Sequence, residues 1–281
     1  MRRSLLVLPA LGLIAALLIA PLGVLLLYSF WRVDFISIVS DWNLDNYRQA
    51  FSQYGALMLR TLGVGALAAA VTTALAIPLA YAVRYKLGRA QDAVVFLLLL
   101  ALFSGYLVRI YAWKTILGED GIINSALRGL GVTHHPLPFL LFSRFALIVT
   151  LTNFLLPLAI LPIYGGLQNL PRERIDASHD LGAGRFETAR RLVLPEIALP
   201  IFASFSVCLV LAAGDWVTPT LVGGPSSLMV GQVITGQFGN AFNWPFGGAL
   251  AFAMAAVLIG AVAAAGGAAV GLGRARQGRV T

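Results

Sequence analysis

The charged residues that could bind a partner or do chemistry are concentrated between Pro171 and Pro195. This segment reads PRERIDASHDLGAGRFETARRLVLP and holds nine acidic and basic side chains, whereas charged residues make up only 11% of the whole chain. Long apolar runs flank it on both sides. A polar segment between apolar runs is where a membrane protein meets a soluble partner. We therefore expect a protein-binding surface here.

Asp215 is a second candidate for chemistry, because it is an acid inside an apolar run with no base beside it in sequence. An acid in lipid is costly unless it faces protein or water. Two roles fit it: contact with a cation along a transport pathway, or capping of the backbone at breaks marked by Gly214 and Pro219.

Five aromatic residues could line the same pathway through cation–π contacts, or could anchor helices at the membrane interface. They are Tyr106, Tyr111, Trp113, Trp216 and Trp244.

Other kinds of site have little support in the sequence. No GxxxxGK[ST] loop is present, so we do not expect the chain itself to hydrolyse ATP. The adjacent His134 and His135 lack the further ligands that zinc needs. With only three histidines and no nucleophile–base set, a membrane-embedded enzyme is disfavoured. We predict no catalytic residue, metal or cofactor in this chain, and no nucleic-acid partner, because its basic residues are scattered.

The elements that position these residues are predicted to be membrane helices. The chain is 59% hydrophobic, and a membrane helix needs about 20 mostly apolar residues. We predict an all-α membrane protein, a single transmembrane domain over residues 1–281 with six spans. They are placed at Leu5–Phe30, Leu59–Val83, Ala93–Lys114, Phe139–Leu167, Leu199–Thr220 and Phe246–Leu272.

The distribution of basic residues predicts the orientation of these spans. Thirteen of the 20 lysines and arginines, including Arg2, Arg3 and Arg279, fall in one alternating set of segments. The richer set faces the cytoplasm by the positive-inside rule, which places both termini and residues 171–195 there. The outward segments Arg32–Met58 and Thr115–Pro138 are long enough for short interfacial helices.

Within the charged segment, Pro171 can open a helix and Gly182 can close it in a left-handed cap. A helix from Pro171 through Leu181, eleven residues long, would span about 16 Å. A second helical stretch is predicted over Arg185–Leu194. Residues of the first helix are predicted to divide into a small apolar face, Ile175, Ala177, Ser178 and Leu181, and a charged face, Arg172, Glu173, Asp176 and Asp180. A solvated loop with no partner is the alternative, and the proline and glycine pattern argues against it.

This segment resembles the cytoplasmic signature of permease subunits of binding-protein-dependent ABC importers. That signature is Glu-Ala-Ala, three residues, Gly, nine residues, then Ile-x-Leu-Pro. This chain has Asp176-Ala177-Ser178, then Gly182, then Leu192-Val193-Leu194-Pro195 in the same register. Asp, Ser and Leu stand in place of Glu, Ala and Ile. In the family this segment is the coupling helix, which docks into a cleft on the ATPase subunit.

Further stretches resemble permeases of the spermidine/putrescine type. They are Leu44–Tyr47, Val108–Trp113, Gly121–Ser125, Gly214–Pro219 and Trp244–Gly247. Relatives that carry an amino acid-like amine, an opine, thiamine or ferric iron share much of this pattern, so these solutes stay open. An ion-coupled secondary transporter is a further alternative, but it would show inverted repeats, and no clear pair is seen.

The resemblance implies the type I importer permease fold in the bacterial cytoplasmic (inner) membrane. It also implies three partners: an ATP-binding cassette ATPase dimer that holds the ATP and Mg, a second permease that is a homologue, and an external solute-binding protein. The residues implied in coupling are Arg172, Asp176, Ala177, Ser178, Gly182, Arg185, Leu192, Leu194 and Pro195.

Overall fold

The computed structural model describes residues 8–35 and 37–277. Both chain ends lie outside these residues, as do Arg2, Arg3 and Arg279, on which the topology prediction partly rests. The described α-helices are α1 (Leu8–Ser29), α2 (Asp45–Tyr85), α3 (Gln91–Phe103), α4 (Tyr106–Leu117), α5 (Ile122–Gly129), α6 (Arg144–Gln168), α7 (Arg172–Asp180), α8 (Arg185–Thr188), α9 (Leu194–Glu196), α10 (Ala198–Gly214), α11 (Val230–Gly239) and α12 (Trp244–Gln277).

Short irregular elements join some of these helices. Two π-helical turns cover Ala189–Val193 and Pro219–Gly223, and 3₁₀ turns cover Gly88–Ala90 and Pro225–Ser227. The strands β1 (Arg32–Asp34) and β2 (Ser37–Val39) follow α1.

Four helices, α1, α2, α6 and α12, are long and apolar enough to cross a membrane. Two bent helix pairs bring the number of candidate spans to as many as six. One pair is Gly88–Phe103 with Tyr106–Gly129, bent by 95°, and the other is Arg185–Glu196 with Ala198–Gly214, bent by 71°. The chain is thus mostly helical, with four to six candidate spans among the described residues.

The predicted third span, Ala93–Lys114, is wrong as a continuous helix. α3 ends at Phe103, and Ser104 is extended with ψ 139°. The Ser104 hydroxyl donates to the Ala101 carbonyl at 3.0 Å and accepts from Arg109 Nε at 2.6 Å. Such local side-chain bonds compete with the helical ladder, which accounts for the break.

The prediction for residues 32–58 is also wrong. Instead of short helices, β1 and β2 form an antiparallel ribbon in which Val33 pairs with Ile38, and the 41-residue α2 begins at Asp45. This two-stranded ribbon departs from the predicted all-α fold. Its β-branched residues favour strands. By contrast, α5 confirms a short helix within Thr115–Pro138.

The chain forms two compact units. One contains the chain up to Leu59 together with Val230–Ala264. Within it, Asn46 Nδ2 donates to the carbonyls of Ser29 at 3.0 Å and Trp31 at 2.7 Å, which secures the start of α2 against the end of α1. Gly248 of α12 lies against Leu25, where an added Cβ would stand 3.1 Å from the Leu25 carbonyl oxygen.

The other unit contains Arg60–Met229 together with the chain from Ala265. Its most buried helix is α6, which packs against α10. Ser204 donates to the Ala159 carbonyl at 3.0 Å, and Gly166 leaves room for the ring of Pro200. Tyr85, at the end of α2, donates to the Leu170 carbonyl at 2.9 Å just before the charged segment.

Residues 224–228 of this unit form a loop that is held through its main chain. Arg144 Nε donates to the Ser226 carbonyl at 3.3 Å, and Arg60 Nη2 donates to the Leu228 carbonyl at 2.9 Å. Gly224 has φ +67° and packs against the Phe142 carbonyl, where a side chain would not fit. Two arginines on different helices therefore fix one loop.

Candidate functional site

The first half of the charged segment is the nine-residue helix α7, two residues shorter than predicted. It follows Pro171 and ends in a left-handed glycine, Gly182, with φ +86°. The Gly182 amide donates to the His179 carbonyl at 2.8 Å, and the Ala183 amide donates to the Ser178 carbonyl at 3.1 Å. This is the Schellman pattern of helix ends, and it confirms the predicted left-handed cap.

The predicted apolar face of this helix is divided: Ala177, Ser178 and Leu181 line one groove together, whereas Ile175 lines another. Ile175 is buried, but Leu181 is 89% exposed and Ala177 is exposed as well. The helix therefore attaches through Ile175 and presents a leucine to its surroundings.

The second half of the segment runs from α8 through the π-helical turn to α9. The predicted helical stretch Arg185–Leu194 is confirmed, and the helix continues past Pro195 to Glu196. The Ser178 and Thr188 hydroxyl oxygens lie 2.6 Å apart and join the two halves. Thr188, which is buried, has no motif in the sequence that singles it out.

Two grooves lie on the charged segment and divide the predicted coupling residues between them. The cap-side groove, of about 570 Å³, is lined by Ala177, Ser178, Gly182 and Leu192. The α2-side groove, of about 680 Å³, is lined by Arg172, Asp176, Arg185 and Leu194 together with the end of α2. Pro195 is exposed and lines neither groove. The predicted coupling residues thus lie on one segment that has a groove on each of two sides.

Asp215 lies at the break after α10, which ends at Gly214 rather than continuing to the predicted Thr220. Its Oδ1 accepts from the amides of Val217 at 2.9 Å and Thr218 at 3.3 Å. Its Oδ2 accepts from the Tyr106 hydroxyl at 2.5 Å and from the Thr218 hydroxyl. The carboxylate therefore caps the turn that follows, which is the second of the two roles that the sequence leaves open.

Three of the predicted pathway residues come together. Tyr106, Asp215 and Trp216 line one cavity of about 330 Å³, whose wall includes Phe154. The rings of Tyr106 and Phe154 are 4.6 Å apart. Phe154 carries no signal in the sequence, whereas Thr218 could have been recognised from its place three residues after an acid that follows a helix-ending glycine.

The other predicted pathway residues lie elsewhere. Trp113 packs against the buried cluster that includes Ile110 and Leu117. Tyr111 is 53% exposed. Trp244 belongs to the unit that contains α1 and packs edge-on against Phe238, with 5.8 Å between ring centroids.

The chain is similar to several known transport proteins. PotB, the spermidine/putrescine transport system permease protein of Escherichia coli (strain K12), is 30% identical over 226 residues, which cover 80% of this chain and 81% of that protein. PotB of Haemophilus influenzae is 30% identical over 216 residues, covering 76% and 75%. The inner membrane ABC transporter permease protein YdcU of Escherichia coli (strain K12) is 30% identical over 237 residues, covering 80% and 74%.

A solved structure and a family model agree with these similarities. The structure of a bacterial ABC transporter involved in the import of the acidic polysaccharide alginate superposes with a TM-score of 0.75 at 18% identity, covering 95% of this chain and 94% of that one. This likeness shows the fold. The family described as binding-protein-dependent transport system inner membrane component matches residues 92–271. Because that match spans more than half of the chain, the protein belongs to the family of inner membrane components of binding-protein-dependent transport systems.

Proposed function

We propose that this chain is the permease subunit of an ATP-driven ABC importer and that its solute is a polyamine. It crosses the bacterial inner membrane six times, as a single permease domain with both ends in the cytoplasm. Two of the six spans are then the bent pairs. The residues that couple it to ATP lie in the segment 171–195.

One observation carries the coupling role. Gly182 occupies the glycine position of the family signature, and its φ of +86° turns the chain so that α7 ends in a compact, exposed cap. A short helix offered on a surface is suited to a groove on a partner protein. The cap-side groove, which holds most of the signature residues, is the face that we assign to the ATPase.

The mechanism that follows is alternating access. Closure of two ATPase subunits on ATP moves the coupling helices of two permeases together, and the path opens toward the external solute-binding protein. Hydrolysis then returns the path to the inward-facing state. ATP and Mg are held by the ATPase dimer, and the second permease is a homologue of this chain.

The polyamine assignment rests on similarity and on one cavity. The PotB relatives are spermidine/putrescine permeases by name, and the cavity at Asp215 combines one carboxylate with Tyr106, Trp216 and Phe154. A carboxylate and aromatic faces are the groups that attract an organic cation. The alternatives are another small solute delivered in the same way, or transport driven by an ion gradient.

The test is uptake by proteoliposomes that contain this chain with its ATPase, second permease and binding protein. We expect ATP-dependent uptake of radiolabelled spermidine or putrescine, and none with an ATPase variant that cannot hydrolyse ATP. Uptake that an ion gradient drives without ATP would overturn the importer assignment. ATP-driven uptake of a different solute with no polyamine uptake would overturn only the solute.

Asp215→Asn tests whether the carboxylate also contacts the solute. Asparagine retains an oxygen for the amides of Val217 and Thr218 but removes the charge. We expect polyamine uptake to fall about tenfold, the equivalent of about 1.4 kcal/mol. Thr218→Val is the matched control, because it removes a hydroxyl partner of Asp215 without changing the charge. Equal losses in both variants would show that Asp215 acts only as a cap.

A further inference from the structure

The α2-side groove differs from the cap-side groove in the pairing of its cations. Lys86, Arg172 and Arg185 line it with one acid, Asp176. Within the described residues, neither Lys86 nor Arg185 has a carboxylate partner. Arg172 meets Asp176 at 4.0 Å, and both side chains are well exposed. The groove therefore carries uncompensated positive charge.

The cap-side groove has cations too, but each has its own acid. Arg174 lies 3.5 Å from Glu196, and Arg191 lies 3.1 Å from Glu187. The two grooves share one short helix, so general basicity of the segment does not explain the difference. Among the cations that line the two grooves, the unpaired ones all lie in the α2-side groove.

The floor of the α2-side groove is apolar. Ile77 and Pro78 of α2 line it together with Val193, Leu194 and Ile197. The rings of Tyr81 and Tyr85 form its side, with centroids 4.9 Å apart. Tyr85 is fixed in place by its hydrogen bond to the Leu170 carbonyl. A volume of about 680 Å³ falls in the range of about 300–1,000 Å³ that is usual for ligand sites.

The groove lies where the apolar helix α2 ends and the charged segment begins. In the topology given under the proposed function, this position is the cytoplasmic boundary of the bilayer. The inference below rests on that proposed function. Basic pockets between membrane helices on the cytoplasmic side bind anionic lipid headgroups.

We propose that the α2-side groove binds one anionic glycerophospholipid of the cytoplasmic leaflet. Its phosphate meets Lys86, Arg172 and Arg185 at the rim, and an acyl chain lies along Ile77, Pro78 and Val193. Free phosphate would satisfy the same cations but would leave the apolar floor uncovered. The alternative occupant of the groove is an acidic segment of a partner protein, and the test must exclude it.

The test uses the full-length chain in nanodiscs with a photoactivatable phosphatidylglycerol, and in parallel with a photoactivatable phosphatidylcholine. We expect the anionic probe to label peptides that contain residues 77–86 and 185–197, and the zwitterionic probe to label them far less. Lys86→Gln should reduce labelling about fivefold, as expected for about 1 kcal/mol per cation near the surface. Arg174→Gln is the matched control and should change it less than about twofold, because its charge is already paired.

Three results would overturn the lipid assignment. The first is equal labelling by both probes, and the second is full competition by inorganic phosphate or glycerol 3-phosphate. The third is that added ATPase abolishes the labelling and that position 86 crosslinks to the ATPase subunit. Thermal melting of each variant controls for folding. Because labelling requires no transport, a chain that binds the lipid but imports nothing would fail only the proposed function.

Discussion

α5 and α7 are two short helices in one unit of the molecule, and they end in the same way. Each is followed by a leucine and then a left-handed glycine: Leu130 and Gly131 after α5, Leu181 and Gly182 after α7. At Gly131, with φ +70°, the amide donates to the Arg128 carbonyl at 3.0 Å, which repeats the bond between Gly182 and His179. Both leucines are largely exposed, at 77% and 89%.

The two helices differ in how they attach to the rest of the unit. α5 is anchored by the buried Asn124, which donates to the Gly118 carbonyl at 2.8 Å and accepts from the Leu137 amide at 2.9 Å. α7 is attached through Ile175 and the hydroxyl pair of Ser178 and Thr188, with a groove on each side. A left-handed glycine after a short helix is thus ordinary helix-ending chemistry. What distinguishes α7 is the surface around that cap.

The largest expected effect is a difference in transport between substitutions at Gly182 and at Gly131. Gly182→Val should reduce ATP-driven uptake between about fivefold and about thirtyfold, because a left-handed conformation costs a residue with a side chain about 1–2 kcal/mol. Gly131→Val should change uptake less than about twofold. Neither position has an atom within 4 Å of an added Cβ, so the substitution tests conformation alone at both. Uptake in proteoliposomes is the measurement, and equal losses at the two sites would contradict a coupling role for Gly182.

The second-largest effect is expected at the two exposed leucines, Leu181 and Leu130. Leu181→Asp should weaken association with the ATPase about tenfold, because burying part of a leucine side chain contributes about 1.4 kcal/mol. Leu130→Asp is the matched control, since its leucine occupies the same place in the cap of α5. Quantitative co-purification with the ATPase subunits measures the effect. Unchanged recovery with Leu181→Asp would place the ATPase contact elsewhere on the chain.

The smallest effect concerns the attachment of α7. Ser178→Ala removes the hydroxyl pair with Thr188 and should lower the free energy of local opening by about 1 kcal/mol. Amide hydrogen exchange in α7 should then become about fivefold faster. Ser125→Ala in α5 is the control, because Ser125 is exposed and its hydroxyl makes only long bonds, donating to the Asp120 carbonyl at 3.3 Å and accepting from Arg128 Nη2 at 3.5 Å. Exchange in α7 that does not change would show that the hydroxyl pair does not hold the helix.

The sequence was sufficient to predict features that depend on composition or on local spacing. Apolar length predicted the helices α1, α2, α6 and α12, and the order of Pro171 and Gly182 predicted the start and cap of α7. Asp215 was recognised as a candidate cap because an acid in an apolar run requires an explanation.

Features that depend on distant residues could not be predicted in this way. The break between α3 and α4 is instead a local feature marked by Ser104 and Gly105, but the apolar residues on both sides favoured one continuous span. The α2-side groove brings Lys86 next to Arg185, and the hydroxyl of Tyr106 reaches Asp215 across 109 positions of sequence. Such contacts are set by the packing of helices, which no local pattern encodes.

The loop 224–228 has a consequence for how this protein can change over evolutionary time. Arg60 and Arg144 hold it through the carbonyls of Leu228 and Ser226, which every amino acid possesses. Substitution at position 226, where the serine is exposed, leaves that attachment intact. The surface chemistry at this position can therefore diverge among descendants while the course of the loop is inherited.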